Sequence, residues 1–497
     1  MSLRAAPTIS KSKFLSGFQC PLLLWTQYND KDLIPPTDPG TQYVFDMGHT
    51  VGDLAKQLYP DGIEVPGSND RPDLDATVAA TKELLPLRRP IFEASFLSDE
   101  PGGRRYLRAD VLVPAPDGAW DLVEVKSSTR VKDINLWDVA FQAGALENAG
   151  LRLNRLFLMH IDTSYIRQGP VEPQLLFQAD DITDRARALM PRVPGMFARY
   201  AAVIGGARPE VPIGPHCRDP YHCALTDVCW RGLPEHHVTS FVRAGRRAFD
   251  WMQDGLTLVT DVPDRELTAA QRVQKAAVAA DGAHVDKDVV AQILGGLEYP
   301  LWLLDFESLN PAVPLFDGTR PFQQIPFQFS LHVQESPNAE PRHIEYLSET
   351  KDDPRPGLVA ALRAIGPRGT VLAFNCAFES QVLAALGAAY PAYTAMTDDL
   401  RDRLRDLADP FRAFAVYHPA QNGSYSLKAV LPALTGGGYG DLVIADGQAA
   451  GREWMRAVYG TKITAEEKDA VMTALRAYCG RDTMAMVEIL AVLRAMV

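Results

Sequence analysis

The sequence predicts an α/β fold in two domains, the first covering residues 1–235 and the second residues 299–497. A chain of 497 residues, 46% of them hydrophobic, is long enough to build two or three packed domains. Extended runs of apolar and β-branched residues occur from Ile91 to Lys126 and again from Tyr299 to Leu347. Helix-prone segments follow both runs, as in mixed folds. Residues 236–298 include an alanine-rich stretch and are expected to form a helical linker region.

The first run predicts a β-meander that brings two acidic residues together. It is broken at Pro101-Gly102-Gly103 and at Pro116-Asp117-Gly118, which are turn sequences. If the strands on either side of the second turn form a hairpin, Asp110 lies opposite Glu124, with Cβ atoms about 4.5–5.5 Å apart. Two facing carboxylates repel unless a cation such as Mg²⁺ lies between them. Lys126 points to the same face as Glu124 and is placed to hold an attacking water or to stabilise charge on a phosphate.

Asp110 followed by Glu124-Val125-Lys126 resembles the PD-(D/E)XK nuclease motif. The similarity is greatest to the RecB-like branch, which includes CRISPR-associated nucleases with an iron–sulfur cluster, and it implies a restriction-endonuclease-like fold. By the same resemblance His49, in Phe45-Asp-Met-Gly-His49, would be a further metal ligand and Gln142 a further active-site residue. The family usually has a tyrosine four residues after that glutamine, where this chain has Leu146. The alternative interpretation is a solvated hairpin with an exposed Glu–Lys pair.

Four of the six cysteines are arranged as a candidate ligand set. Cys217, Cys223 and Cys229 are separated by five residues each, and Cys20 stands near the start of the chain. The close cysteine pairs that are typical of zinc sites are absent from this spacing, whereas four thiolates with one distant partner suit an iron–sulfur cubane. The RecB-like resemblance implies that these four would hold a four-iron four-sulfur cluster. Zinc bound with help from His216 or His222 is the alternative, and Cys376 and Cys479 are expected to be buried thiols.

A second set of acidic residues follows in the C-terminal half. Asp305 and Glu307 come at the end of an apolar run and are expected to lie on one face of a buried strand. Strands are predicted at residues 325–334 and 342–347, and a strand leading into a helix is predicted at residues 369–379, which places Glu379 at the helix start. The last helix opens with a capping box at Thr464-Ala-Glu-Glu467.

The order of these motifs resembles that of DnaQ-like 3′–5′ exonucleases of the DEDDy type. The third motif is supplied by Tyr478 and Asp482, four residues apart on one face of the last helix. The resemblance implies an RNase H-like fold and two divalent ions held by Asp305, Glu307, Glu379 and Asp482, with Tyr478 orienting the attacking water. The second motif normally ends in aspartate. Glu379 is one methylene longer, and a misplacement of about 1 Å can cost on the order of a hundredfold in rate.

Charge gives no support to a general nucleic-acid-binding surface. The formal net charge is −12, and acidic residues outnumber basic ones both in residues 1–235 and in the remainder, unlike chains with a basic face. Bound cations would offset part of this acidity. We therefore expect modest, salt-sensitive affinity, or a protein partner for loading.

Together the motifs predict a nuclease that requires Mg²⁺ or Mn²⁺ and acts on DNA single strands or ends, in repair or in defence. The combination resembles a bacterial family in which a RecB-like iron–sulfur nuclease is fused to a DnaQ-like exonuclease. No segment resembles a signal peptide or approaches a membrane span, so a reducing cytoplasm is expected. Two alternatives stay open, an RNA-processing exonuclease and a nucleic-acid-binding adaptor with one or both sites inactive.

Overall fold

The computed structural model describes residues 6–68 and 73–497, and the chain divides into two compact units. Unit 1 comprises Met1–Gly232 together with Pro311–Phe322, and unit 2 comprises Leu233–Asn310 together with Gln323–Val497. The division at Gly232 lies three residues from the predicted end of the first domain. Residues 236–298, predicted to be a linker, belong to unit 2. Among the described helices, none is both long and apolar enough to cross a membrane.

Unit 1 is built on a mixed sheet whose order is β2-β3-β4-β5-β6-β7, with β1 attached to β4. The strands are β1 (Thr8–Ser10), β2 (Ile63–Glu64), β3 (Ile91–Glu100), β4 (Gly103–Pro114), β5 (Trp120–Val125), β6 (Leu153–Ile161) and β7 (Phe177–Asp181). The predicted meander is confirmed, since β3 and β5 both pair antiparallel with β4. Both predicted turns fall between these strands.

One edge of β4 is shared by two strands. Its first part pairs in parallel with β1, from Arg104 to Tyr106, and its last part pairs with β5, from Val111 to Pro114. The middle of β4 therefore faces a gap between β1 and β5. Asp110 lies at this gap, and the residue after β1, Lys11, enters it.

Helices cover both faces of the sheet in unit 1. They are α1 (Lys11–Gln19), α2 (Pro21–Asn29), α3 (Pro39–Lys56), α4 (Leu74–Leu84), α5 (Asp133–Asn148), α6 (Pro173–Leu176), α7 (Thr183–Leu189), α8 (Val193–Gly205) and α9 (Thr226–Cys229). The central helix α5 is buried on nearly all sides. One side packs on the sheet, and the other packs against α1 and α8 through Phe141. Burial on every side explains why the sequence of α5 shows little amphipathic pattern.

Unit 2 contains a five-stranded sheet of order β11-β10-β9-β12-β13 and a small ribbon of β8 and β14. The strands are β8 (His284–Val285), β9 (Leu301–Leu309), β10 (Ile325–Gln334), β11 (Arg342–Leu347), β12 (Val371–Ala373), β13 (Leu404–Asp406) and β14 (Val416–Tyr417). The predicted strands at residues 325–334 and 342–347 are confirmed. Strand β9 runs four residues beyond Asp305, so the two acids lie within the strand and not at its end.

The helices of unit 2 lie on both faces of this sheet and beside it. They are α10 (Arg247–Gln253), α11 (Ala269–Ala280), α12 (Lys287–Gly295), α13 (Pro354–Ala361), α14 (Ala377–Ala389), α15 (Thr394–Asp402), α16 (Asp409–Arg412), α17 (Leu427–Thr435), α18 (Gly447–Tyr459) and α19 (Ala465–Ala495). One core lies under α13, α14 and α15, and another lies under α17 and α19. The predicted capping box of Thr464 and Glu467 opens α19. The alanine-rich helix is also confirmed, as α11.

Candidate metal centres

The first centre, in unit 1, is formed where β4 and β5 pair. The register joins Val111 to Val123, and one step further along both strands come Asp110 and Glu124, as the predicted hairpin requires. The Asp110 Oδ2 atom accepts a hydrogen bond of 2.8 Å from the Val125 backbone N–H. Glu124 is fully buried, which is not the solvated hairpin of the alternative interpretation.

The Glu124 carboxylate is surrounded by donors. The Lys126 ammonium donates to Oε1 at 2.5 Å and the Gln142 amide donates to Oε2 at 2.7 Å. Lys126 also donates to Asp138 Oδ2 at 2.8 Å, and Gln142 reaches Asp138 Oδ1 at 3.0 Å. The structure therefore brings Asp110, Glu124, Lys126 and Gln142 together and adds Asp138 from α5.

The pKa values of the two acids of this centre are shifted in opposite directions. Burial, and then the negative charge of Glu124, raises the pKa of Asp110 to about 6. Burial would also raise the pKa of Glu124, but the ammonium groups of Lys11 and Lys126 outweigh it and hold this pKa well below its ordinary value. Burial disfavours the charged form of Lys126, yet Asp138 and Glu124 keep its pKa well above the usual range. Lys126 is therefore a cation held at the acids, the state in which it can stabilise a phosphate charge.

Lys11 is a functional candidate that the sequence alone did not reveal. Its ammonium donates to both oxygens of Glu124, at 2.9 and 3.1 Å, and lies 3.4 Å from Asp110 Oδ1. Lys11 reaches the acids only through the tertiary structure, because β1, which it follows, and β5 pair with the same edge of β4. A lysine ninety-nine residues before Asp110 has no local pattern that would link the two.

The predicted ligand His49 is not brought to these acids. It lies exposed on α3. Within residues 6–68 and 73–497, three or more ligand atoms of His, Cys, Asp and Glu come within 4.8 Å of one another only at Asp305, Glu307 and Cys479. His49, Asp110 and Glu124 therefore do not form a closed ligand set. The exposed face of α3 turns the imidazole to solvent while Val51 and Ala55 are buried beneath the helix.

Replacing Lys11 by methionine is expected to tighten Mn²⁺ binding at the first centre by about fivefold, because a divalent ion that reaches Glu124 must displace an ion pair worth about 1 kcal/mol. Titration of Mn²⁺ followed by electron paramagnetic resonance measures this in an Asp305→Asn background. Lys13→Met, on the same helix, is the matched control. Weaker or unchanged Mn²⁺ binding by Lys11→Met would show that the lysine does not compete with the ion.

The four predicted cysteine ligands line one cavity in unit 1. Cys20 lies between α1 and α2, Cys217 and Cys223 lie in the loops before α9, and Cys229 ends α9; His216 also lines the cavity. The Gln19 amide ties the two parts of the chain together by donating to the backbone carbonyls of His216 and Tyr221, at 2.9 and 2.6 Å. His222 is exposed and is not among the lining residues.

The spacing of these thiols bears on what they can hold. A single tetrahedral zinc ion with Zn–S bonds of about 2.3 Å needs sulfur atoms about 3.8 Å apart. In the described part of the chain no three of the cysteine and histidine ligand atoms around this cavity come within 4.8 Å of one another. Burial raises the pKa of Cys20 and raises that of Cys223 to about 11, so the thiols need a cation before they ionise. In the described part of the chain these ligand atoms are therefore not arranged around a single zinc ion.

The second centre, in unit 2, gathers acids from three elements. Asp305 and Glu307 lie on β9, Glu379 in the first turn of α14, and Asp482 on α19. Asp305 and Glu307 are close enough to share an ion, and the thiol of Cys479 joins them, 3.6 Å from Asp305 Oδ2. Cys479 is buried as predicted, but beside these acids and not in a purely apolar environment.

At the second centre, burial and the repulsion between acids outweigh the charge of the nearby cation Lys428. Burial, followed by the charges of Asp482 and Glu307, raises the pKa of Asp305 well above its ordinary value. The pKa of Glu307 is raised in the same way, by burial and Asp482, and burial also raises that of Asp482. Buried carboxylates that repel one another bind protons or divalent cations.

Glu379 supplies an unsatisfied oxygen at this centre. Its side chain is 2% exposed, and its Oε2 atom has no hydrogen-bond partner among the described residues. Burial, with a contribution from Asp406, raises the pKa of Glu379 to about 8. Asp406 itself is occupied, since it accepts from the backbone N–H groups of Asn375 and Cys376. Buried oxygen atoms in proteins nearly always have a partner. A bound metal ion would be such a partner for Glu379 Oε2.

Two further side chains at the second centre were not predicted as site residues. The Tyr439 hydroxyl donates to Asp482 Oδ1 at 2.5 Å, and the Lys428 ammonium donates to the Tyr478 hydroxyl at 3.0 Å. Burial and the charge of Asp482 raise the pKa of both tyrosines far above the ordinary value. Both hydroxyls therefore stay protonated and serve as hydrogen-bond donors. The sequence signal at Lys428 is its place at the end of the segment 422–428, which resembles segments near the substrate groove of DnaQ-like exonucleases and is equally explained by a polar loop that leads into a helix.

Glu379→Gln is expected to stabilise the protein increasingly from pH 5 to pH 8 when divalent ions are removed. The folded-state pKa of Glu379 is raised, so its protonated form contributes stability that is complete below about 4.5 and is lost as the pH rises to about 8. The loss is at most about 1.4 kcal/mol per pH unit. Thermal unfolding of both proteins across this range measures it, with Glu335→Gln as an exposed control. A constant difference in Tm across the range would contradict the assignment.

Comparisons with known proteins give limited similarity. The model of one family, described as a domain of unknown function (DUF2779), matches residues 302–426, a range that contains Asp305, Glu307 and Glu379. No curated protein is significantly similar to this chain. A solved structure titled "Crystal structure of SSO0001" is 15% identical, with a TM-score of 0.27, over 47% of this chain and 90% of that chain. Similarity at that level carries no argument about fold or function.

Proposed function

We propose that this protein is a nuclease that requires Mg²⁺ or Mn²⁺ and hydrolyses phosphodiester bonds of DNA at two centres, one in each unit. The observation that carries the proposal is the second centre. Four acids from β9, α14 and α19, all but Asp305 buried, have raised pKa values there. Asp305 and Glu307 are close enough to share an ion, and Glu379 has an orphan oxygen. Such a set is costly to bury without cations. Divalent ions are the cations that carboxylate oxygens prefer.

At the second centre Asp305, Glu307, Glu379 and Asp482 would hold the ions. Bound divalent ions lower the pKa of water and stabilise charge on a phosphoryl group. The chain's own part is to exclude bulk water and to present the Tyr478 hydroxyl, which is 3% exposed, beside Asp482. That hydroxyl stays protonated and is suited to orient a water molecule. This arrangement supports trimming of 3′ ends, as the DEDDy resemblance implies.

At the first centre Asp110 and Glu124 would hold an ion, and Lys126 would hold the attacking water or the phosphate charge. Gln142 and Asp138 keep Glu124 and Lys126 in place. The positions of Lys11 and His49 favour a second candidate function, in which only one of the two centres is active. Because Lys11 already contacts both acids and His49 is exposed, unit 1 would then bind nucleic acid without cutting it, and unit 2 alone would be active.

The cysteine cavity supports the proposal of a four-iron four-sulfur cluster held by Cys20, Cys217, Cys223 and Cys229. Four thiols meet there with a spacing wider than one zinc ion takes. The cluster would join α1 to the segment before α9 and so close unit 1. Thiols that stay free fit a reducing cytoplasm, which is the proposed location. The acidic chain favours a protein partner for loading onto DNA.

The test of this function is degradation of end-labelled DNA and RNA by the purified protein with Mg²⁺ or Mn²⁺. Wild type, Lys126→Ala, Asp305→Ala and the double variant are compared. Two active centres predict that each single variant loses one class of product and that the double variant loses both. If only Asp305→Ala matters, the second candidate is correct, and faster cleavage of RNA than of DNA identifies an RNA-processing enzyme. If neither substitution changes degradation, the proposed function is wrong.

A further inference from the structure

Lys428 places a positive charge at the edge of the acidic centre of unit 2. It is the second residue of α17 and is exposed overall, yet its ammonium contacts the buried Tyr478. The ammonium donates to the Tyr478 hydroxyl at 3.0 Å and to the backbone carbonyl of Ala445. It also lies 5.0 Å from the centre of the Tyr478 ring and 5.5 Å from that of Tyr439. These contacts fix its position from several sides.

The contact with Lys428 restricts the directions in which the O–H bond of Tyr478 can point. A phenol has one O–H donor and accepts through the same oxygen. Because Lys428 donates to that oxygen, the Tyr478 proton must point away from the ammonium. The neighbouring Tyr439 hydroxyl donates to Asp482 Oδ1, and the centres of the two tyrosine rings lie 6.3 Å apart. Lys428 thus restricts the directions in which the Tyr478 hydroxyl can donate.

We propose that Lys428 is a positioning residue of the second centre, which acts by holding the direction of the Tyr478 hydroxyl. The inference rests on the proposed nuclease function and adds to it a residue that lies outside the three acidic motifs. Lys428 does not touch the acids themselves, so it does not compete with an ion for them. Its charge nevertheless reaches Glu307 and Asp482 and favours their ionised forms.

A double-mutant cycle separates action through Tyr478 from direct contact with substrate. Lys428→Met, Tyr478→Phe and the double variant are compared with wild type on single-stranded DNA, all in a Lys126→Ala background. Lys428→Met is expected to lower kcat by about tenfold to a hundredfold and to leave KM within about twofold. In the Tyr478→Phe background, Lys428→Met is expected to cause no further decrease in kcat. Lys428→Arg, which keeps the charge, is expected to recover part of the rate.

Two outcomes would overturn the inference. Losses that multiply in the double variant would mean that Lys428 acts independently of Tyr478, and a change confined to KM would mean that it binds substrate. Lys462→Met, an exposed lysine of the same unit, controls for the loss of one charge. Equal unfolding temperatures of the variants exclude a folding defect as the cause.

A second measurement does not depend on activity. With tyrosine labelled by ¹³C at Cζ, the Tyr478 signal is assigned by its absence in Tyr478→Phe. Lys428→Met is expected to shift that signal, and Lys462→Met is not. A shift in a protein that degrades no nucleic acid would retain the positioning role and refute the nuclease function. An unshifted signal would refute the positioning role even if the enzyme is active.

Discussion

Asp305→Asn is expected to lower the release of mononucleotides from single-stranded DNA by about a hundredfold to a thousandfold. The Asp305 carboxylate lies within 4.8 Å of ligand atoms of both Glu307 and Cys479 and is repelled by the charge of Asp482, so it is a shared oxygen donor of the second centre. An amide keeps the shape but removes the charge that holds a divalent ion, and loss of one preorganised electrostatic group commonly costs two to three orders of magnitude. The measurement is the initial rate with 3′-labelled substrate and saturating Mg²⁺.

The same substitution is expected to have the opposite effect on stability. Asp305 is repelled by its acidic neighbours, so a neutral side chain relieves the buried charge and should raise Tm when divalent ions are removed. Asp398→Asn is the control, because that acid is exposed and paired with Arg401. An Asp305→Asn protein that is less stable and fully active would contradict both parts of the prediction.

Cys20→Ser is expected to remove the bound cluster and to destabilise unit 1 by about 4 kcal/mol. Cys20 joins α1 and α2, whereas the other three thiols lie nearly two hundred residues later in the chain. Closing a loop of that length by a cross-link restricts the unfolded chain by about this amount, and binding energy at such a site is folding energy. Iron and sulfide content, absorbance near 400 nm and proteolysis within residues 6–232 measure the effect.

Cys376→Ser is the matched control, since that half-buried thiol lies at the start of α14 in unit 2. It should leave metal content and stability unchanged. One zinc ion per chain with no iron would disprove the cluster. An unaltered Tm in Cys20→Ser would show that the cavity does not stabilise unit 1.

Several elements were predictable because their causes are local. The hairpin register that faces Asp110 with Glu124 follows from the turn at Asp117 and from the two-residue period of a strand. The capping box of Thr464 and Glu467 predicts the start of α19 for the same reason, since all of its hydrogen bonds lie within four residues. The end of β9 was predicted too early, because polar residues at a buried centre do not terminate a strand.

Other features depend on contacts between distant segments. The middle of β4 is open only because β1 and β5 share its edge, and this places Lys11 on Glu124. Residues 311–322 lie between β9 and β10 in the chain, yet Arg167 of unit 1 donates to the carbonyls of Pro314 and Leu315 there, at 2.9 and 2.6 Å. Backbone carbonyls of this kind leave no pattern in a sequence.

The amino-acid sequence alone determined the α/β class, the meander of residues 91–126, the strands at residues 325–334 and 342–347 and the start of α19, because period, turns and caps act over a few residues. Tertiary structure alone decided which further side chains meet the predicted acids. Lys11 and Tyr439 contact them and Lys428 contacts Tyr478, whereas His49 lies in solvent. Such encounters are set by how sheets and helices pack and not by spacing along the chain.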